Sequence, residues 1–180
     1  EYISPKEDYE SEVSFFNLEK EHLLNETAYC RNVGLVLETR PDLITKEEVI
    51  HLRKLGATKI QIGIQSLNNR ILQANNIGRK VRDVRKAIKL LRLAGFKIHG
   101  HWMPSLYKAT VSSDIADYKK LWRKGFSPDE LKIYPTSIVP NTYLYNLYKK
   151  KMYSPYTEEE LLEVLVSVMP TTPRYCRLSR

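Results

Sequence analysis

Two periods of apolar and polar positions alternate along the chain, and the switches between them lay out its elements. Val33–Thr39 (VGLVLET) reads as a strand, and Thr58–Ser66 (TKIQIGIQS) changes character at every second residue. Lys97–Met103 (KIHGHWM) and Glu130–Pro135 (ELKIYP) repeat that period. Between the strands, apolar residues recur every three or four positions: Val49, Leu52 and Leu55; Val84, Ile88 and Leu91; Ile115, Tyr118 and Leu121. These helical runs stop at Gly56, Gly95 and Gly125, the residue type that most readily takes the left-handed turn past a helix end. Thr45 with Glu48, and Thr157 with Glu160, have the spacing of capping boxes. The second opens a final amphipathic helix running to about Met169, before Pro170. Strands alternating with helices predict parallel βα units joined by right-handed crossovers.

Successive side chains of a strand point to opposite faces, so each strand splits into two rows. Ile60, Ile62 and Ile64 form a row to be covered by helices, which leaves Gln61, Gly63 and Gln65 facing a lumen. The same split puts Glu38 inside with Leu35 and Leu37 outside, His99 and His101 inside, and Lys132 and Tyr134 inside. Glu38, Gln65, His101 and Tyr134 fall near the C-terminal strand ends, where βα barrels carry their sites. The rows define a polar pocket but no reaction.

The chain of 180 residues carries 29 Lys and Arg against 21 Asp and Glu, a net charge of +8, which suits a polyanionic partner. Cys30 and Cys176 are its two cysteines, too few for a disulfide scaffold or a cysteine-only metal site. A reducing, cytoplasmic compartment is expected, with no membrane partner, since no apolar run approaches the roughly 20 residues of a span. Two stretches could carry RNA. One gathers Arg79, Lys80, Arg82, Arg85, Lys86 and Lys89 on and before a helix, and the other sets Lys149, Lys150 and Lys151 among Tyr145, Tyr148 and Tyr153. The plainer alternatives are a solvated helix face and tyrosines packed on the barrel.

Taken in order, ETRPD (Glu38–Asp42), IGIQSL (Ile62–Leu67), KIHGHWMP (Lys97–Pro104), PDELKIYPT (Pro128–Thr136) and TPRYCR (Thr172–Arg177) resemble the radical S-adenosylmethionine domain of the Elongator catalytic subunit family. The resemblance runs from about Asn25 to the C-terminus. It implies a partial (β/α)6 TIM-like barrel of the radical SAM type, with residues 1–30 a partly helical lead-in and residues 31–180 the C-terminal part of the barrel. It also implies a tRNA wobble-uridine acetyltransferase using S-adenosylmethionine, a 4Fe-4S cluster and acetyl-CoA. In such enzymes a 5′-deoxyadenosyl radical takes a hydrogen atom from the acetyl group, which then adds to the 5-position carbon of the uridine. By resemblance Glu38, Gln65 and His99 contact the cofactor, while Gln61, His101, Lys132 and Tyr134 line the pocket. The implied partners are a tRNA anticodon stem-loop and either a second copy or Elongator-type subunits.

The chain departs from that family in three places. It lacks the three-cysteine cluster motif, it lacks the acetyltransferase domain, and NNIGRK (Asn75–Lys80) has Ile77 where family members carry Arg. Arg79 could reach in from two residues further on. The chain is therefore expected to be an internal piece, inactive alone. Two other readings compete: a zinc-dependent barrel hydrolase using His99 and His101, and a non-catalytic tRNA-binding scaffold.

Overall fold

Ile60, Ile62 and Ile64 are completely buried and form the spine of a sheet. They lie on β2 (Ala57–Gln65), which β1 (Leu35–Thr39) and β3 (Lys97–Trp102) flank; β4 (Glu130–Ile133) and the short β5 (Arg177–Leu178) continue the sheet. The structure, a computed structural model, describes residues 11–179. Among the described residues the five strands are all parallel and stand in chain order. Each parallel neighbour needs a crossover, and helices supply it. α1 (Ser11–Thr27) precedes the sheet and α2 (Lys46–Lys54) joins β1 to β2. α3 (Asn69–Ala74) and α4 (Val81–Leu93) join β2 to β3, and α5 (Val111–Lys120) joins β3 to β4. α6 (Tyr143–Lys149) and α7 (Glu158–Val168) lead to β5. A sheet wound in one direction, without reversal of strand order, is part of a barrel wall rather than a doubly wound sheet. The fold is thus α/β and a partial barrel.

Local chemistry sets the helix ends. Thr45 Oγ1 accepts the Glu48 N–H at 3.1 Å, and Thr157 Oγ1 accepts that of Glu160 at 3.2 Å. The Glu160 carboxylate accepts the Thr157 N–H in return, closing a capping box. Gly56, Gly95 and Gly125 have φ of 82°, 75° and 97°, so the three predicted stops are left-handed turns. The first strand begins at Leu35 rather than Val33, because pairing with β2 starts at Leu35 opposite Ala57. The short α3, α6 and β5 lie below the length at which a periodic signal emerges. Of the predicted lead-in, residues 1–10 lie outside the described residues.

The outer row of the sheet packs under the helices. Val84, Ala87, Ile88 and Leu91 of α4 are buried together with Ile98, Trp102, Tyr118 and Leu131. Each large side chain so buried contributes about 1.5–3 kcal/mol relative to exposure. Gly100 sits in this row with no room to spare: a Cβ there would lie 2.7 Å from Ile64 Cδ1.

Candidate cofactor and substrate site

The strand register turns the inner row into a line of polar side chains. Glu38 pairs with Gln61, Gln61 with His99, and His99 with Glu130, across four strands. One step toward the C-terminal ends, Gly63 pairs with His101 and His101 with Lys132. Since Gly63 has no side chain, its neighbours occupy the space in front of it.

His101 is buried at the centre. Its Nε2 lies 3.1 Å from Gln61 Oε1 and its Nδ1 3.4 Å from Glu38 Oε1. Each ring nitrogen thus faces a side-chain oxygen. Burial lowers the His101 pKa from its ordinary value, with Glu38 pulling the other way and Lys132 adding to the lowering. The lowered value favours the neutral ring at pH 7. The Glu38 side chain is 64% exposed, open to a ligand in the lumen. Tyr134 stands 6.0 Å from the His101 ring, and Lys132 Nζ donates to the Tyr134 hydroxyl at 2.9 Å.

His99 occupies the deeper half of the lumen. Its Nε2 is 3.0 Å from Ser179 Oγ, its Nδ1 is 3.7 Å from Glu130 Oε2, and its ring meets that of His101 edge to face at 5.2 Å. Burial first, and His101 second, lower its pKa. Glu130 in turn accepts both bonds of a two-pronged contact from Lys59 Nζ, at 2.9 and 3.1 Å. Lys59, Glu130 and Ser179 were missed in the sequence. The signal for the first two was present, since Lys59 shares parity with Gln61, and Glu130 with Lys132.

The mouth of the sheet holds Gln65 and Arg79. Gln65 has φ of 63° and ends β2 beyond an irregularity in the β2–β3 register. Its amide nitrogen and the Arg79 guanidinium both lie over Gly63, where a Cβ would sit 2.8 and 3.0 Å from them. Arg79 Nη2 donates to the Gly63 carbonyl, and burial lowers the guanidinium pKa. The guanidinium at this site thus comes from Arg79, which the sequence grouped with the phosphate-binding residues; it points to the inner face because α4 begins only at Val81. Ile77 lines the same cleft of about 500 Å³, with Arg40, Met103, Thr136 and Tyr143.

The other basic residues divide. Arg85 stacks its guanidinium 4.9 Å from the Phe126 ring centroid and packs against Gly125. Lys80 caps α4, its N–H donating to Asp83, and Arg82 Nε lies 3.7 Å from the same carboxylate. Lys86 and Lys89 are exposed on α4, and Lys149, Lys150 and Lys151 are exposed at the end of α6. The two groups lie on separate helices. Tyr153 is buried and donates to the Ser105 carbonyl at 2.7 Å, so it is a packed residue.

Three buried polar atoms of the site have no hydrogen-bond partner among the described residues: Gln65 Oε1, Arg79 Nε and His99 Nδ1. Buried polar groups are normally satisfied, so an acceptor and a donor left open beside each other mark a place for a polar ligand. With exposed Glu38 they offer both hydrogen-bonding senses, which fits the hydroxyls, ammonium and carboxylate of S-adenosylmethionine. The residues do not fit an iron–sulfur cluster, because Cys176 is buried, Cys30 is exposed, and the sequence carries no third thiol. Nor do they gather a zinc site. Nε2 of each histidine is engaged, with Ser179 and with Gln61, and among the described residues no group of three His, Cys, Asp or Glu could hold a metal ion.

Comparison with known proteins gives the same frame. The chain is 38% identical over 165 residues to the tRNA uridine(34) acetyltransferase of Methanocaldococcus infernus, covering 91% of this chain and 31% of the relative. It is 32% identical over 159 residues to Elongator complex protein 3 of Saccharomyces cerevisiae, covering 88% and 28%. The chain thus spans about a third of the length of these curated relatives. The solved structure of archaeal Methanocaldococcus infernus Elp3 with an N-terminal deletion superposes with a TM-score of 0.86 at 37% identity, covering 90% of this chain and 38% of that one. Coproporphyrinogen III oxidase of Escherichia coli, at 16% identity and a TM-score of 0.65, shares the fold. The pattern of the Radical_SAM C-terminal domain matches residues 128–180, and that of the Radical SAM superfamily matches residues 8–107. With an inner row of polar residues on a parallel barrel wall and a family match across more than half its length, this chain belongs to the radical SAM superfamily.

Proposed function

We propose that the chain is part of a tRNA-modifying enzyme that uses S-adenosylmethionine to add an acetyl-CoA-derived carboxymethyl group to the 5-position carbon of the wobble uridine. One observation carries this reading. The open acceptor of Gln65 and the open donor of Arg79 flank Gly63 at the mouth of the sheet, in a chain 38% identical to a tRNA uridine(34) acetyltransferase. S-adenosylmethionine held by these residues would supply hydrogen-abstracting radical chemistry.

The residues of this chain hold and orient. Glu38 accepts from ribose hydroxyls or the methionine ammonium, Gln65 Oε1 accepts a further donor, and Arg79 Nε donates to an acceptor such as a carboxylate. His101, held between Gln61 and Glu38, can exchange a proton with a group in the lumen. Lys132 and Tyr134 border the substrate side. Lys86, Lys89 and Lys149–Lys151 supply phosphate contacts for an anticodon stem-loop in the cytoplasm, and the cluster ligands and the acetyl-CoA site belong to other parts of the enzyme.

The test uses the natural full-length protein, reconstituted anaerobically with iron and sulfide. S-adenosylmethionine affinity, 5′-deoxyadenosine formation and transfer of labelled acetyl to uridine 34 are measured for the wild type and for Glu38→Ala and Gln65→Ala. Wild-type activity in all three, with both variants losing about tenfold or more in cofactor affinity, supports the reading. Cofactor binding indifferent to both substitutions would leave a tRNA-binding scaffold.

A further inference from the structure

Gln65 combines a left-handed backbone, with φ of 63°, and a side chain at the mouth of the site. The Ser66 N–H donates to the Ile64 carbonyl at 2.8 Å across Gln65, whose φ is 63°. A bond from residue i+2 back to i around a positive φ is a γ-turn of the rarer, strained kind. Such a conformation persists only where surrounding contacts over-determine it.

Those contacts converge on Asp117 of α5, whose side chain is 1% exposed. A single oxygen, Oδ2, accepts the Leu67 N–H at 2.8 Å, the Ser66 hydroxyl at 3.0 Å and the Trp102 indole N–H at 3.2 Å. Ser66 Oγ in turn accepts the Asn68 N–H at 3.1 Å. From the other side, the Gln65 carbonyl accepts the Met103 N–H at 2.9 Å. Asp117 therefore ties the two residues after Gln65 to the end of β3. It touches neither the lumen nor Gln65 itself.

We propose that Asp117 is a positioning residue for the cofactor site: it locks the γ-turn that aims the Gln65 side chain over Gly63. This rests on the reading of Gln65 as a cofactor contact. Without the carboxylate, three donors lose their acceptor, the turn relaxes, and the amide leaves the place where its oxygen faces the ligand. Asn can turn its amide oxygen to the same three donors and so preserve the lock, giving up only the Oδ1 contact with Lys120 Nζ at 3.3 Å, whereas Ala cannot.

The test measures S-adenosylmethionine affinity by equilibrium dialysis on the full-length reconstituted protein. Asp117→Ala is expected to lose about tenfold, and Asp117→Asn to recover most of that loss. In a Gln65→Ala background Asp117→Ala should cost nothing further, because the path runs through Gln65. Leu121→Ala, a core substitution beside α5, should lower the melting temperature and leave the affinity unchanged. If Asp117→Ala does not fold, Ser66→Ala carries the test, with a loss of a few-fold in the wild type and none in the Gln65→Ala background. Full affinity in Asp117→Ala, additive losses in the double variant, or an equal loss in Leu121→Ala would overturn the proposal. Unchanged affinity in Gln65→Ala alone would instead sink the cofactor-site reading, and the role of Asp117 with it.

Discussion

Gln61 stands opposite His99 in the sheet, yet its side chain reaches diagonally to His101, 3.1 Å from Nε2. The diagonal exists because the residue directly opposite His101 is Gly63. A larger residue there would meet Gln65 Nε2 and Arg79 Nη2. One missing side chain therefore organises a histidine, two glutamines and an arginine.

Gly63→Ala tests that organisation. The new Cβ meets Gln65 Nε2 and Arg79 Nη2, the far ends of flexible side chains, so the fold yields while the site does not. Cofactor affinity in the full-length protein should drop about tenfold or more. The melting temperature should move by only a few degrees. Calorimetric binding and thermal unfolding of the same preparation check both.

Asp114 gives a pH signature. Its carboxylate, buried on α5, accepts the Ser105 N–H and the Tyr156 hydroxyl, each at 2.8 Å. Burial raises its pKa from 3.8 to about 6, against the two hydrogen bonds. The folded value exceeds the unfolded one, so the folded chain binds this proton more tightly. The contribution of this group is greatest below pH 4 and is lost as pH rises through about 6. His99 and His101 act in the opposite sense. Their lowered values make the unfolded chain bind protons more tightly, so their contribution is complete above 6.5 and declines as pH falls. Asp114→Asn removes the first effect and leaves the second. Its stability relative to wild type should improve steadily between pH 4 and pH 6.5, as followed by urea unfolding. A flat difference would mean an ordinary carboxyl.

The basic surface makes a separable prediction for tRNA. Lys86 and Lys89 are exposed, whereas Arg85 lies over Phe126. Lys86→Gln with Lys89→Gln should lower tRNA affinity and reduce the salt slope by about 1 per contact removed, leaving stability within about 0.5 kcal/mol. Arg85→Gln should do the reverse, losing stability through its ring contact with little change in slope. Binding titrations at several salt concentrations, paired with melting curves, separate the two.

The thiols should differ in reactivity. Cys30 is exposed, while Cys176 is buried, with burial followed by Asp129 and Glu130 raising its pKa to about 11. A chromogenic disulfide reagent should label one thiol per native chain quickly and the second only on unfolding.

Much of the wall could be read from the chain, because strand parity is a local property. Ile60 and Gln61 take opposite faces whatever lies beyond them, and Gly95 must stop a helix. The links between strands could not be read. Lys59 meets Glu130 from 71 residues away, and Asp117 reaches Ser66 across 51. No period in the sequence encodes such distances, since they follow from register and from which helix covers which strand end. Asp114 and Asp117 are acidic, a residue type usually exposed, yet both are buried because the turns after β2 and β3 fold over them. Arg79 could be read both as one charge in a basic run and as a substitute for the arginine missing at Ile77, and the late start of α4 turns it inward.

Gly100 faces away from every polar residue of the lumen, pressed against Ile64 and Leu131. It sets how closely two strands and their covering layer approach, much as a shim sets the spacing of a hinge. Even a methyl group there has to displace buried side chains on the outer layer, the layer that also contains Asp117. A substitution at Gly100 would therefore be felt as a loosened mouth on the opposite side of the sheet.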